Sequence, residues 1–370
     1  MIINLLIAFS EIQKLGLLYL AISYDYNSTL RLILTWLLWQ IFSPVIFGKL
    51  SDIKGRKFAL YITISFSILV SVLAIYQSSF SYALFCNGLF AATLPIAFAA
   101  KNDRHPLRSK RLTYAEASLA RALPWLIMPL WYLLTGLPDP FWKRAILTTS
   151  ILSAIILIFF NDKQDEFAKH DHTKEKKRSL PIFSAFVFMF LAALFTSECS
   201  YQTVAYVVEE KESLIPLTKS YILFGLGMSM ATAAHLFFKE HNKISLQSIC
   251  GISFLVTAFY FLIKFLSFSW EVQTISLNYT EKAILGAVSG VYIPLIYAIV
   301  CERFKMHQQG VLCGLLESTM TLAEIISPLL AYFLIKSFLN SSVVFLIIGF
   351  GFLISYVILR SYPFKNRKME

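Results

Sequence analysis

Ionisable side chains stand inside stretches of this chain that are otherwise apolar for about 20 residues, the length that crosses a hydrocarbon core. Glu11 and Lys14 fall in the stretch 2–22, Arg121 in 113–136, Glu198 in 181–207, and Glu317 and Glu324 in 310–335. At 1.5 Å per residue, Glu11 and Lys14 lie about 14 and 18 Å into their helix. Their i, i+3 spacing puts them on one face, where they either neutralise each other or meet a substrate or proton. Arg121, about 12 Å deep, has only Glu116 near it in sequence. Its guanidinium stays charged, so facing a cavity without a carboxylate it would favour an anion. Glu317 and Glu324 are about 10 and 20 Å deep and, seven residues apart, share a face. Glu198 follows Ser197 as Glu11 follows Ser10, but lies near a span boundary. Such carboxylates can hold a proton in one conformation and release it in another, with Glu11 and Glu317 the expected carriers. His235 and Lys264 lie near span ends, where their polar tips are expected to snorkel.

The elements that position these groups follow from composition. Hydrophobic residues make up 57% of the 370, against roughly 45–50% in a soluble domain. Charged residues supply 15%, where about 25% is usual. A soluble globule could not hide so much apolar surface, and disordered chains are polar, so the chain belongs in a bilayer. Apolar stretches lie at 2–22, 30–48, 58–76, 80–100, 113–136 and 142–160, then at 181–207, 217–238, 247–267, 281–301, 310–335 and 341–360. The reading is therefore all-α, with twelve transmembrane helices. A six-helix bundle (1–160) is joined by a charged linker (161–180) to a second six-helix bundle and short tail (181–370). The net charge of +11 is orientation rather than nucleic-acid binding. Loops and tails on one side carry 23 Lys and Arg against 7 on the other, which predicts both termini on the cytoplasmic side of a plasma (inner) membrane. The start Met1-Ile2-Ile3 has no basic flank, so the first helix reads as uncleaved.

Shifted by 199 residues, the chain matches itself. Leu94-Pro95-Ile96 falls on Ile293-Pro294-Leu295, Asp103-Arg104 on Glu302-Arg303, and Met128-Pro129-Leu130 on Ser327-Pro328-Leu329. The fourth and fifth spans thus repeat as the tenth and eleventh, giving pseudo-symmetric halves of the kind that build secondary transporters. Arg121 can then pair with one of the glutamates of the eleventh span across the axis between halves.

Between the second and third spans runs Gly48-Lys49-Leu50-Ser51-Asp52-Ile53-Lys54-Gly55-Arg56-Lys57. Asp52 suits a helix N-terminus, the glycines allow close approach or positive φ, and Asp103 is the acid within reach of Arg56. The segment resembles the Major Facilitator Superfamily motif G-x-x-x-D-(R/K)-x-G-R-(R/K), with Ile53 where a basic residue is usual. Glu302-x6-Gln309-Gly310 and Asp103-x6-Lys110 are similar to its lesser motifs, with Gln309 in place of Arg. The resemblance implies the superfamily's two-bundle fold. It also implies a latch on the cytoplasmic side made by Gly48, Asp52, Gly55, Arg56, Lys57, Asp103 and Glu302, and a cavity reached by Glu11, Lys14, Asn87, Glu198, Ser289 and Tyr292. The expected function is secondary active transport of a small organic solute by alternating access, proton-coupled, by a monomer with no cofactor or metal. A metabolite, with an anion favoured by Arg121, is preferred to a drug. Drug antiporters of the superfamily carry a glycine-rich G-x-x-x-G-P-x-x-G-G, and Met128-Pro129-Leu130-Trp131 keeps only the proline. A drug or metabolite efflux antiporter, a non-transporting sensor or partner subunit, and a membrane enzyme are the alternatives. No P-loop, metal-ligand spacing or paired-cysteine motif is present to support other chemistry.

Overall fold

A computed structural model describes residues 1–22, 36–76, 80–90, 92–104, 109–135, 140–160, 182–196, 215–237, 246–268, 279–301, 308–337 and 342–361. Glu198, Glu302, the linker 161–180 and the chain after 361 lie outside the described residues. The helices are α1 (Ile2–Ile22), α2 (Ser43–Lys54), α3 (Arg56–Ile75), α4 (Phe80–Phe90), α5 (Thr93–Arg104), α6 (Lys110–Thr135) and α7 (Pro140–Ile158). They continue as α8 (Ile182–Thr196), α9 (Ile215–Phe237), α10 (Leu246–Phe268), α11 (Tyr279–Cys301), α12 (Gln309–Ser337) and α13 (Ser342–Ser361). Among the described residues ten spans are long and apolar enough to cross a membrane, α4 and α5 together forming one, and Ala185–Thr196 is a shorter apolar helix. Of the second expected stretch (30–48), residues 36–40 are helical, 41–42 turn, and α2 begins at Ser43; 30–35 lie outside the described residues.

Among the described residues, two helices make the most extensive contacts between the halves. α6 packs on α9 and α11, and α12 packs on α2 and α5. The fifth span thus touches the eighth and tenth while the eleventh touches the second and fourth, which is the pattern a two-fold axis produces. Three contacts mark that axis, because each joins a residue to its own counterpart 199 positions on. The Phe98 and Tyr297 rings meet edge-on at 4.9 Å, Tyr114 Oη lies 3.9 Å from Cys313 Sγ, and Arg121 Nη1 lies 3.9 Å from Met320 Sδ.

Small residues allow the closest of these crossings. A Cβ on Gly310 would come within 2.6 Å of Arg56, Gly48 and Ser51, and one on Gly225 would strike the Trp125–Leu126 backbone. Helix approaches this tight exclude any side chain from the contact. The Gly48–Lys57 segment, read from sequence as a loop, is helical to Lys54 and turns at Gly55 alone, whose φ of 94° suits only glycine. Gly48 therefore serves close helix packing rather than a turn.

Candidate functional site

At the end of the molecule where α2 stops, Asp52 reaches across to the other half. Its Oδ1 and Oδ2 accept from the backbone N–H groups of Gly310 and Val311, each at 2.9 Å. Both donors lie in the first turn of α12, whose unpaired N–H groups and dipole favour an anion. Arg56, buried at the start of α3, donates from Nη1 to Asp52 Oδ1 at 2.5 Å and to Ser51 Oγ at 2.7 Å. Its Nε donates to Asp103 Oδ2 at 2.8 Å. Gln309, standing where the superfamily has Arg, donates to the Cys301 carbonyl at 2.9 Å and so ties α11 to α12. Lys57 lies over the Tyr61 ring, outside this cluster. Ile53 is 66% exposed. Lys101 holds Glu116 at 2.8 Å and Asn4 at 2.7 Å, so Glu116 is not the partner of Arg121.

Halfway along the helices the buried charges form one network. Arg121 is ion-paired through Nε to Glu11 Oε1 at 3.1 Å, and donates from Nη1 and Nη2 to the two Glu317 oxygens, each at 3.1 Å. The Trp125 Nε1–H donates to Glu11 Oε2 at 3.1 Å, and Tyr297 Oη to Glu317 Oε2 at 3.0 Å. Lys14 donates to both Glu324 oxygens, at 3.1 and 3.3 Å. Glu11 and Lys14, expected to neutralise each other, instead reach separate partners on α6 and α12. A three-residue step aligns two side chains on a helix, but the cross-helix partners lie closer to each head group. Nor is Arg121 left for an anion, because each guanidinium nitrogen meets a carboxylate. The expected pairing with the eleventh span occurs at Glu317, joined by Glu11.

Two small cavities flank the network. One, of about 50 Å³, is lined by Glu11, Lys14, Gln40, Asn87, Thr93 and Glu317 among others. The second, of about 20 Å³, is lined by Arg121, Trp125, Phe224, Met228, Tyr292 and Glu324 among others. Both are large enough to hold water. Asn87 Oδ1 accepts from Trp36 at 2.7 Å and Gln40 at 3.3 Å, and Tyr292 shares a hydrogen bond with Thr196 at 3.2 Å. Ser289 lines the second cavity. Sequence reasoning missed the uncharged cluster in which Gln13 joins Ser67 and Ser150 at 2.7 and 2.9 Å. It also missed the donors Trp125 and Tyr297, which carry no signal in an apolar helix. His235 and Lys264 do not snorkel. His235 is 4% exposed with its carbonyl accepting from Arg111, and Lys264 is ion-paired to the buried Glu281.

Toward the opposite end, aromatic rings of the two halves pack together. Tyr19 stacks on Trp142 at 4.4 Å and 14° and meets Tyr221 edge-on at 6.0 Å. Trp125 packs edge-on against Tyr221 and Phe224 at 5.6 and 5.9 Å. Tyr19 and Trp125 belong to the first half and Tyr221 and Phe224 to the second, so the cluster bridges the halves.

A model described as "Major Facilitator Superfamily" matches residues 283–369. No curated protein matches the chain in sequence. The structure of the human organic anion transporter MFSD10 (TETRAN) is similar, with TM-score 0.76 and 15% identity over 96% of this chain and 98% of that one. The proton:xylose symporter XylE, bound to 6-bromo-6-deoxy-D-glucose, is similar with TM-score 0.69 and 12% identity over 98% of this chain and 94% of that one. At these identities the likeness is one of fold.

Proposed function

From a chain with the Major Facilitator Superfamily fold and a superfamily match over 283–369, we propose a secondary active transporter that moves a small organic solute by alternating access, coupled to protons. The observation that carries the coupling is a count. Among the described residues, Glu11, Glu317 and Glu324 are three carboxylates, and Arg121 and Lys14 are two bases, gathered in one buried region. An unbalanced buried charge is costly, and one bound proton removes it. Glu317 is gripped by two guanidinium nitrogens and a phenol, Glu11 by one guanidinium nitrogen and an indole. Glu11 therefore carries the proton more readily, and Glu317 anchors Arg121.

In this reading Gly48, Asp52, Gly55, Arg56 and Asp103 form the cytoplasmic latch, with Lys57 beside it over Tyr61 and Glu302 expected to join it from outside the described residues. Bundles 1–160 and 181–370 rock about the central network, with both termini cytoplasmic, in a monomer of the plasma membrane. The missing glycine-rich motif of the fifth span still favours a metabolite over a drug. The anion preference rested on an Arg121 without carboxylates. With two on it, the excess charge is negative and a neutral or cationic solute fits better, whatever the organic anions of MFSD10.

The test uses proteoliposomes loaded with a pH-sensitive dye and offered neutral, anionic and cationic solutes. At least one solute is expected to move in a direction that reverses with an imposed pH gradient. Glu11→Gln should keep solute exchange and lose the gradient dependence. The reading fails if nothing moves, or if pH dependence persists in both E11Q and E317Q.

A further inference from the structure

The two cavities differ in what they offer a charge. The second is lined by Trp125, Phe224 and Tyr292, by the Glu324 carboxylate and by Arg121; Arg121 is already held by Glu11 and Glu317, so a cation entering there meets a carboxylate among aromatic rings. An ammonium already sits on Glu324, that of Lys14, reaching it from the side of the first cavity. Lys14 is the most exposed member of the network, at 17% of its side chain against 2–10% for the other four. It hangs on a flexible four-carbon stem. Arg121 is fixed, since all three of its nitrogens are held. Lys14 also has a second acid within its own helix, Glu11 three residues back.

We infer that the cargo is an organic monocation with an aromatic-sized apolar body, that it displaces Lys14 from Glu324, and that one proton leaves the site for each cation bound. The inference rests on the proton-coupled reading above and names its cargo. Before binding, three carboxylates share Lys14, Arg121 and one proton. When the cargo ammonium takes Glu324, Lys14 swings to Glu11, and Glu11 releases its proton. Three carboxylates then face three cations: Glu324 the cargo, Glu11 Lys14, and Glu317 Arg121. One positive charge enters and one leaves, so the buried site is neutral in both states. An anion would add to the excess negative charge, and a neutral solute would displace no proton. Among the described residues, the charged and titratable groups facing this exchange are Glu11 and Lys14 from α1, Arg121 from α6, Tyr292 and Tyr297 from α11, and Glu317 and Glu324 from α12.

The test titrates the full-length protein in detergent, weakly buffered with a pH indicator. The probe is benzyltrimethylammonium, a cation with no proton of its own to give, against its neutral carbon isostere neopentylbenzene and the anion 3-phenylpropionate. The cation is expected to bind with release of about one proton per site. Its Kd should fall about tenfold per unit of rising pH while the site is protonated. Neopentylbenzene and 3-phenylpropionate should release none. Glu11→Gln should bind more weakly and release no proton, and Glu324→Gln should not bind the cation. Glu324→Asp, which keeps the charge should the glutamine variant fail to fold, should retain proton release at lower affinity. Cation binding without proton release, no cation binding at all, or equal binding by the isostere or the carboxylate overturns the inference. pH-driven transport of a neutral or anionic solute alone would also overturn it while leaving the transporter reading intact. Proton-releasing cation binding without transport would do the reverse.

Discussion

The two ends of the molecule hold the halves together by different physics. At one, Asp52 caps the first turn of α12 and Arg56 is clamped between Asp52 and Asp103. At the other, Tyr19, Trp142, Tyr221, Trp125 and Phe224 pack ring against ring. The first contact is directional and buried, so a partial break leaves a charge without its partner and costs nearly as much as a full one. The second is a set of individually modest contacts that can slide and be lost one by one. One end is thus held by contacts that break together, the other by contacts that can be lost one at a time.

The sharpest way to break that contrast is Asp52→Ala. It strips two N–H groups and Arg56 of their acceptor and should favour separation at that end by about 3–5 kcal/mol. Buried Cys313 reports it: maleimide labelling followed by peptide mass spectrometry should rise steeply, and unchanged protection would show that Asp52 is not what holds the end shut. Gly310→Ala comes next. Its methyl would meet Arg56, Gly48 and Ser51 at under 2.6 Å, an overpacking worth about 1–3 kcal/mol, with the same labelling and a lower Tm. At the aromatic end Trp142→Phe keeps a ring beside Tyr19 but loses part of the stack, about 0.5–1.5 kcal/mol. Tm should drop slightly while Cys313 stays protected, and a labelled Cys313 would mean that the ends are not independent. Smallest is Ile53→Lys, which restores the usual basic residue at an exposed site. It should move Tm by no more than about 0.5 kcal/mol equivalent, and a larger shift would extend the contacts that break together beyond Asp52 and Arg56.

This contrast also divides what could be read from sequence. The polar end was legible, because a motif of charges and glycines in an apolar chain stands out, and Asp52, Arg56 and Asp103 have few other groups to meet. The Arg121–Glu317 pair followed from the 199-residue register. Lys14 misled because local spacing offers Glu11 three residues away, whereas Glu324 is 310 residues distant and near only once α1 and α12 pack. The aromatic end left no trace, since Tyr19, Trp142 and Tyr221 look like any other residues of an apolar span until the helices place them together. Lys54 prolongs α2 beyond its apolar run because helix formation continues until Gly55, where φ turns positive.

The three contacts between residues and their own counterparts bear on how such a chain can arise by duplication. On the axis, two identical copies would set each residue against itself. An aromatic tolerates that, and Phe98 and Tyr297 still face one another as near-equivalents. A guanidinium does not, and the counterpart of Arg121 is Met320, whose soft thioether accepts a neighbouring cation. An ancestor with two copies of one half could not have carried arginine at this position in both without burying two like charges in contact. The network thus depends on the two halves differing at this position, with Arg121 in one and Met320 in the other.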